Sequence, residues 1–187
     1  MTAVQDRDHG YKERLARFEA LARGGKIRAG IHAPQGAAAH GYVPGTALQN
    51  ITVAAWMEFG TGRIPARSFV GAWFVINHTK IVETYKAQAI RYITGKGDPR
   101  QTFGRVGAFM AAGMKQRIAE GIPPPNAPST IAAKGSSKPL IDTGQLRASL
   151  GYSVSIAGLE WLQVDQTGSL KQKGSKSKDK LTRLLGR

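Results

Sequence analysis

The sequence contains no cysteine, which excludes disulfide bonds and thiolate metal ligands. Acidic residues are also scarce, because 12 Asp and Glu stand against 27 Lys and Arg, for a formal net charge of +15. The longest apolar run, Val70 to Ile76, is too short to span a bilayer. The polar N-terminus lacks the apolar segment of a secretory signal. We therefore expect a soluble cytoplasmic product with no membrane contact.

Catalytic and phosphate-binding motifs are also lacking. The four histidines occur without an HExxH arrangement, and GxSxG, GxGxxG and GxxxxGK[ST] are absent. Gly95-Lys96-Gly97 is a fragment of a phosphate-binding loop, but it follows a predicted helix and is better explained as a turn. Asp142 is explained by helix capping. The sequence predicts a protein that is not an enzyme and has no cofactor and no metal site.

Hydrophobic periodicity predicts four main helices before the long loop. The first, about 5–23, has Tyr11, Leu15, Phe18 and Ala22 on one apolar stripe. A short helix follows at about 50–59, with Ile51, Ala54, Ala55 and Phe59 expected to face inward. A long helix at about 68–94 is expected to kink or break near Asn77, His78 and Thr79, which are weak helix formers. The fourth helix, 99–120, has Asp98 as its N-cap, Pro99 in first position and Gly121 beyond its end.

Alternating apolar residues predict strands at 26–33, 151–156 and 159–165, the last two joined as a hairpin at Ala157-Gly158. The predicted fold class is α+β: a small antiparallel sheet of three or more strands packed against several helices, one or two of them long. We expect one domain over 1–166, with a long Pro-rich loop over 121–141, and a separate basic C-terminal arm over 167–187.

The segment from Gly121 to Leu150 is rich in Pro, Ser, Gly and Ala, yet it contains two predicted helix starts. Asp142 and Gln145 have the spacing of a capping box, and Ser129 follows Pro128 where it could cap a short turn. Long loops inside compact domains are commonly functional. The sequence therefore predicts that Pro123 to Pro139 is a protein-contact surface.

The arm from Thr167 to Arg187 has seven basic residues and one acidic residue, for a net charge of +6. Such a charge attracts polyanions and acidic proteins. Leu181, Leu184 and Leu185 have helical spacing and could fill an apolar groove. The interpretation is an arm that becomes ordered on a partner.

Two segments carry a resemblance to a known family. EFGTGRIPARSF, Glu58 to Phe69, resembles the EFGT…PARPF signature of tail-completion proteins of long-tailed bacteriophages, also called neck or head–tail joining proteins. IDTGQLRASLGYSV, Ile141 to Val154, resembles the later DTG-x-LR-x-S motif of that family. The resemblance covers roughly Tyr11 to Val164, and Ser68 stands where the family usually has Pro.

The resemblance implies a structural virion protein made in the host cytoplasm and located in the neck or tail. Its implied partners are the tail terminator, the head–tail connector or stopper, and portal-proximal proteins. It also implies a homo-oligomer around the tail axis, where packaged DNA could be contacted non-specifically. The alternative function, suggested by the charge, is a basic nucleic-acid-binding accessory protein without catalytic activity. A third alternative is an enzyme of unrecognised type.

We expect the protein-contact residues to come from the EFGT turn, the Pro-rich loop, the DTG motif and the basic arm. They are Arg63, Ile64, Arg67, Pro124, Asn126, Lys134, Lys138, Arg147, Lys176, Leu184 and Leu185.

Overall fold

A computed structural model describes residues 9–32, 50–141, 144–156, 159–163 and 171–172. The helices within these ranges are α1 (Tyr11–Ala22), α2 (Asn50–Phe59), α3 (Gly71–Ile93), α4 (Pro99–Glu120), α5 (Pro128–Lys134) and α6 (Gln145–Ser149). The strands are β1 (Gly25–Ile31), β2 (Leu150–Ile156), β3 (Leu159–Gln163) and β4 (Lys171–Gln172).

The helix α4 is the central element, and its ends follow the local sequence signals. The Asp98 side chain accepts a hydrogen bond from the Gln101 amide at 2.9 Å, and Pro99 takes the first helical position. Gly121 forms the C-cap. Residues on the buried face of α4 include Val106, Met114 and Ile118, each at most 1% exposed. The predicted helix over 99–120 is confirmed.

The helix α3 runs antiparallel to α4 and is continuous, so the predicted break at 77–79 is wrong. The Asn77 side-chain amide donates to the Trp73 carbonyl at 2.9 Å, one turn earlier in the same helix. Trp73 packs edge-on against Phe109, with 5.7 Å between ring centroids. It also covers Gly113, where a Cβ atom would overlap the indole ring. This tertiary packing outweighs the weak helix propensity of residues 77–79.

The strands β1 and β2 form an antiparallel ladder that runs from Gly25 opposite Ile156 to Ile31 opposite Leu150. The helix α4 packs on this ladder, and Gly107 lies so close to the Tyr152 ring that a Cβ atom there would overlap it. The backbone pairing continues through β3 and β4 in the order β1-β2-β3-β4.

The predicted fold class requires a correction. The protein is mostly helical and broadly α+β, but the sheet layer that packs against the helices is a two-stranded antiparallel ladder, not a layer of three or more strands. The helix α4 makes its extensive sheet contacts with β1 and β2, whereas the main contacts of β3 are with β2 and β4.

The helix α1 packs on α3 through Leu21, the residue that is buried in α1. The predicted apolar stripe faces outward, because Tyr11 is 69% and Phe18 56% exposed. Predicted residues 5–8 of this helix lie outside the described ranges. In α2, Ala54 is buried, but Ile51 and Phe59 are exposed, which corrects the predicted inward face. Within the described ranges, no helix is long and apolar enough to cross a membrane.

Candidate protein-contact site

The connection between α2 and α3 is a tight turn that needs glycine at position 60. Gly60 has φ of 75° and donates its amide to the Trp56 carbonyl at 2.9 Å, which ends α2. A Cβ atom at this position would lie 2.9 Å from the Ala66 nitrogen. Other residues are therefore excluded by both the backbone conformation and the lack of space.

The Thr61 side chain closes the tip of the same turn. Its Oγ1 accepts from the amides of Arg63 at 3.3 Å and Ile64 at 3.1 Å. The Thr61 amide donates to the Ile64 carbonyl at 2.8 Å. Arg63 is exposed and Ile64 is half-buried, so the turn holds these two predicted contact residues at the surface.

The carboxylate of Glu58 binds the beginning of α3. It accepts hydrogen bonds from the Ser68 hydroxyl and from the amides of Phe69, Val70 and Gly71 at 2.6–3.0 Å. Burial alone would raise the pKa of Glu58, but these four hydrogen bonds outweigh it and lower the pKa below its ordinary value of 4.5. The helix N-terminus favours the charged form as well.

Ser68 adds a second contact at the same helix start. Its Oγ accepts from the Ala72 amide at 2.9 Å while its hydroxyl donates to Glu58. A proline at this position has no hydroxyl to fill this role. Ser68 therefore supplies an acceptor for the Ala72 amide in the first turn of α3, although the N-cap residue itself is Val70.

Arg67, which was predicted as a protein-contact residue, is buried against the Pro-rich loop and is not exposed on the α2–α3 turn. Arg67 is 6% exposed. Its Nε donates to the Pro124 carbonyl at 2.8 Å and its Nη2 to the Pro125 carbonyl at 3.1 Å. Its backbone amide donates to the Met57 carbonyl at 2.6 Å. Arg67 thus ties the α2–α3 turn to the Pro-rich loop, since the carbonyls of that loop need donors once they are partly buried.

The Pro-rich loop contains the short helix α5, and its predicted start needs correction. Ala127 is the N-cap and Pro128 takes the first helical position, so Ser129 lies inside the helix and does not cap it. Gly135, with φ of 67°, ends α5. The Asn126 side chain donates to the Ser137 carbonyl at 3.4 Å, which connects the two ends of this segment.

The second predicted capping site also differs. The N-cap of α6 is Gly144, with φ of 78° and no capping side chain. Asp142, the predicted cap, lies outside the described residues. Because Gly144 adopts the left-handed conformation, the chain enters α6 without the extended backbone that an Asx cap requires.

A groove of about 460 Å³ lies between the α2–α3 turn and α5. We call it the turn–loop groove. Its apolar lining is Val53, Met57, Ile64, Pro65, Pro125, Ala127, Leu140 and Leu146, and its polar lining is Arg63, Arg67, Asn126, Thr130 and Lys134. Five of the eleven predicted contact residues therefore lie together: Arg63, Ile64, Arg67, Asn126 and Lys134.

The remaining predicted residues are elsewhere. Pro124 holds Arg67 through its carbonyl but does not line the groove. Lys138 and Arg147 are exposed outside it. Arg147 lies near Lys115, whose pKa is lowered by burial and by this like charge. Lys176, Leu184 and Leu185 lie outside the described residues.

Sequence reasoning missed Glu58 and the apolar groove residues Val53, Met57, Leu140 and Leu146. Glu58 belongs to the EFGT segment, but it lies in α2, 10 to 13 residues before the groups that it binds, so no local capping pattern identifies it. The four apolar residues come from three separate parts of the chain, so no local sequence pattern predicts that they line one groove.

In comparisons with known proteins, no family model, no curated protein and no solved structure matches the chain. Over the residues that the structure describes, no cluster of three or more His, Asp or Glu residues could hold a metal ion. The turn–loop groove offers apolar surface, cationic side chains and amide groups, which are the chemistry of protein recognition.

Proposed function

We propose that the protein is a structural virion component of a bacteriophage, a tail-completion or neck protein that joins head and tail during assembly. One observation supports this most directly. Two segments resemble the tail-completion signature, and 71 residues separate them in the sequence. Both segments contribute to one surface. The EFGT turn supplies Arg63 and Ile64 to the turn–loop groove, and the DTG segment supplies Leu146.

The construction of this surface also favours a structural role. The polar groups of the turn, Glu58, Thr61 and Arg67, are used in hydrogen bonds that fix the backbone. Because these hydrogen bonds fix the backbone, they keep the docking surface rigid. A rigid surface loses little conformational entropy on binding. The proposed partners are the tail terminator, the head–tail connector or stopper and portal-proximal proteins, with the chain itself arranged as a homo-oligomer around the tail axis.

Deletion of the gene in a phage that carries it tests the proposal. We expect filled heads and tails that do not join, or tails with a defective head-proximal end, in electron micrographs of the lysate. Complementation from a plasmid should restore joined particles. Normal numbers of infectious particles without complementation would exclude the proposed function.

The net charge of +15 favours a second candidate, a basic nucleic-acid-binding accessory protein. Its binding to a 30-base-pair duplex would weaken steeply with salt, because phosphate contacts release counterions. Truncation after Gln172 retains β4 and removes six basic residues and Asp179. Strong duplex binding at physiological salt, lost on truncation, together with normal particle assembly by the truncated protein, would favour this candidate over the neck protein.

A further inference from the structure

The turn–loop groove combines an apolar floor with a cationic rim. Leu140 and Leu146 are 8% and 2% exposed and form its base. Arg63 and Lys134 lie at its edges, Arg63 on the α2–α3 turn and Lys134 at the end of α5. The thirteen lining residues include three cations and no Asp or Glu. A ligand that satisfies both features must carry apolar groups next to negative charge.

The buried charge of Arg67 gives this preference a physical basis. Its two hydrogen bonds go to neutral carbonyl oxygens, and no carboxylate in the described part of the chain pairs with it. The ion pairs found there, Glu13–Arg17 and Asp98–Arg100, involve other surfaces. A charge that is removed from water without a counter-ion is costly. A carboxylate in the adjoining groove would offset this cost and gain from the reduced dielectric.

The dimensions of the groove fit a short peptide segment. Its volume of about 460 Å³ lies within the range of roughly 300–1,000 Å³ that is typical of ligand sites. The C-terminal arm of the same chain is a poor occupant, since its net charge of +6 would meet the cationic rim. Nucleic-acid phosphates match the rim but leave the floor of Val53, Met57, Leu140 and Leu146 without an apolar partner.

We propose that the turn–loop groove binds an extended peptide segment of a partner protein in which one or two apolar side chains lie next to Asp or Glu. The apolar side chains occupy the floor, and the carboxylate lies between Arg63 and Lys134, close to Arg67. That the partner is another virion protein rests on the proposed function. The apolar and acidic character of the peptide is inferred from the residues that line the groove and does not depend on the proposed function.

Amide chemical-shift mapping of the ¹⁵N-labelled full chain tests the recognition directly. Three synthetic peptides of equal length serve as probes: Ac-GSLDLESG-NH₂, the same peptide with both acids replaced by lysine, and the same peptide with both leucines replaced by serine. We expect the first peptide alone to shift amides of the α2–α3 turn and of 126–134. Three results would overturn the inference: no shift in this region at about 5 mM peptide, equal shifts with the lysine peptide, or stronger shifts with an oligothymidine or with a peptide of residues 176–187.

Matched variants locate the binding. Thr130→Trp fills the groove, and Ser129→Trp places the same ring on an exposed neighbouring position that does not line it. Lys134→Glu reverses a rim charge, and Lys138→Glu makes the same change outside the groove. We expect at least a tenfold weakening of peptide binding by each groove variant and less than a twofold change in each control. Equal effects within a pair would contradict the proposed site.

Complementation of the deleted phage separates this inference from the proposed function. If Thr130→Trp protein fails to restore joined particles and Ser129→Trp protein restores them, both proposals are supported. Full rescue by Thr130→Trp would overturn the groove as the partner site while leaving the neck function standing. If deletion itself has no effect on particles but the peptide result is positive, the neck function fails and the peptide-binding groove stands.

Discussion

The carboxylate of Glu58, in the last turn of α2, accepts a hydrogen bond at 2.8 Å from the amide of Gly71, the first residue of α3. Together with its bonds to Phe69 and Val70, this contact supplies acceptors to amides that have no partner within the helix. One side chain therefore sets the position of α3 relative to α2. Since the turn between them forms one wall of the groove, Glu58 indirectly fixes the site.

Replacement of Glu58 by Gln should lower the free energy of unfolding by about 1–3 kcal/mol, because hydrogen bonds to a charged acceptor are lost. Urea unfolding followed by circular dichroism at pH 7 measures the change. Glu83→Gln, at an exposed position of α3, is the matched control and should change the stability by less than about 0.5 kcal/mol. Equal losses in the two variants would show that Glu58 has no special role.

The contribution of Glu58 should depend on pH in one direction. The pKa of Glu58 is lowered in the folded protein, so its stabilisation is fully present above the unfolded pKa of about 4.5 and is lost as the pH falls through the lower folded value. The stability difference between the native chain and Glu58→Gln should therefore shrink between pH 7 and pH 3. A difference that stays constant or grows on acidification would contradict the lowered pKa.

Local signals in the sequence were sufficient for several elements. Asp98, Pro99 and Gly121 predict both ends of α4 correctly, because caps and helix stops depend on residues within a turn of the boundary. The predicted helix over 50–59 is confirmed for the same reason, with Gly60 directly after it. Strand alternation likewise located β1, β2 and β3 to within a few residues.

Long-range relationships could not be predicted. Tyr11, Leu15 and Phe18 do lie on one face of α1, but all three are exposed. Periodicity predicts that a helix has an apolar face, but it does not predict whether another element covers that face. Arg67 was predicted only as a protein-contact residue of the EFGT turn, and its buried position could not be read from that segment. Its acceptors, the carbonyls of Pro124 and Pro125, are 57 and 58 residues away in the sequence. The groove itself was not predicted, and the sequence indicated only contact residues scattered along the chain, since the floor of the groove depends on how α2, α5 and α6 meet.

Replacement of Arg67 by Lys should loosen the Pro-rich loop. A lysine keeps the charge, but its ammonium cannot reproduce the planar fork that reaches two carbonyls at once. We expect a loss of about 1–3 kcal/mol in the free energy of unfolding. Hydrogen exchange should also become faster at the amides of Ile131 and Gly135, which donate to the carbonyls of Ala127 and Ile131.

Arg63→Lys is the control for this substitution, because Arg63 is exposed at the tip of the turn. Arg63→Lys should change the free energy of unfolding by less than about 0.5 kcal/mol. It should leave the hydrogen exchange of the loop unchanged. Unchanged exchange in Arg67→Lys would mean that the loop is held by other contacts.

Replacement of Gly113 by Ala tests the packing of α3 on α4. Alanine favours a helix over glycine by about 1 kcal/mol, so an exposed site would be stabilised. At Gly113, however, the new Cβ atom would overlap the indole of Trp73, and overpacking typically costs about 1–3 kcal/mol. We expect net destabilisation in thermal or urea unfolding. Combination with Trp73→Phe, which removes part of the ring, should recover some of this loss, because substitutions at residues in contact are not additive. A stabilised Gly113→Ala protein, or strict additivity with Trp73→Phe, would show that the indole does not lie against position 113.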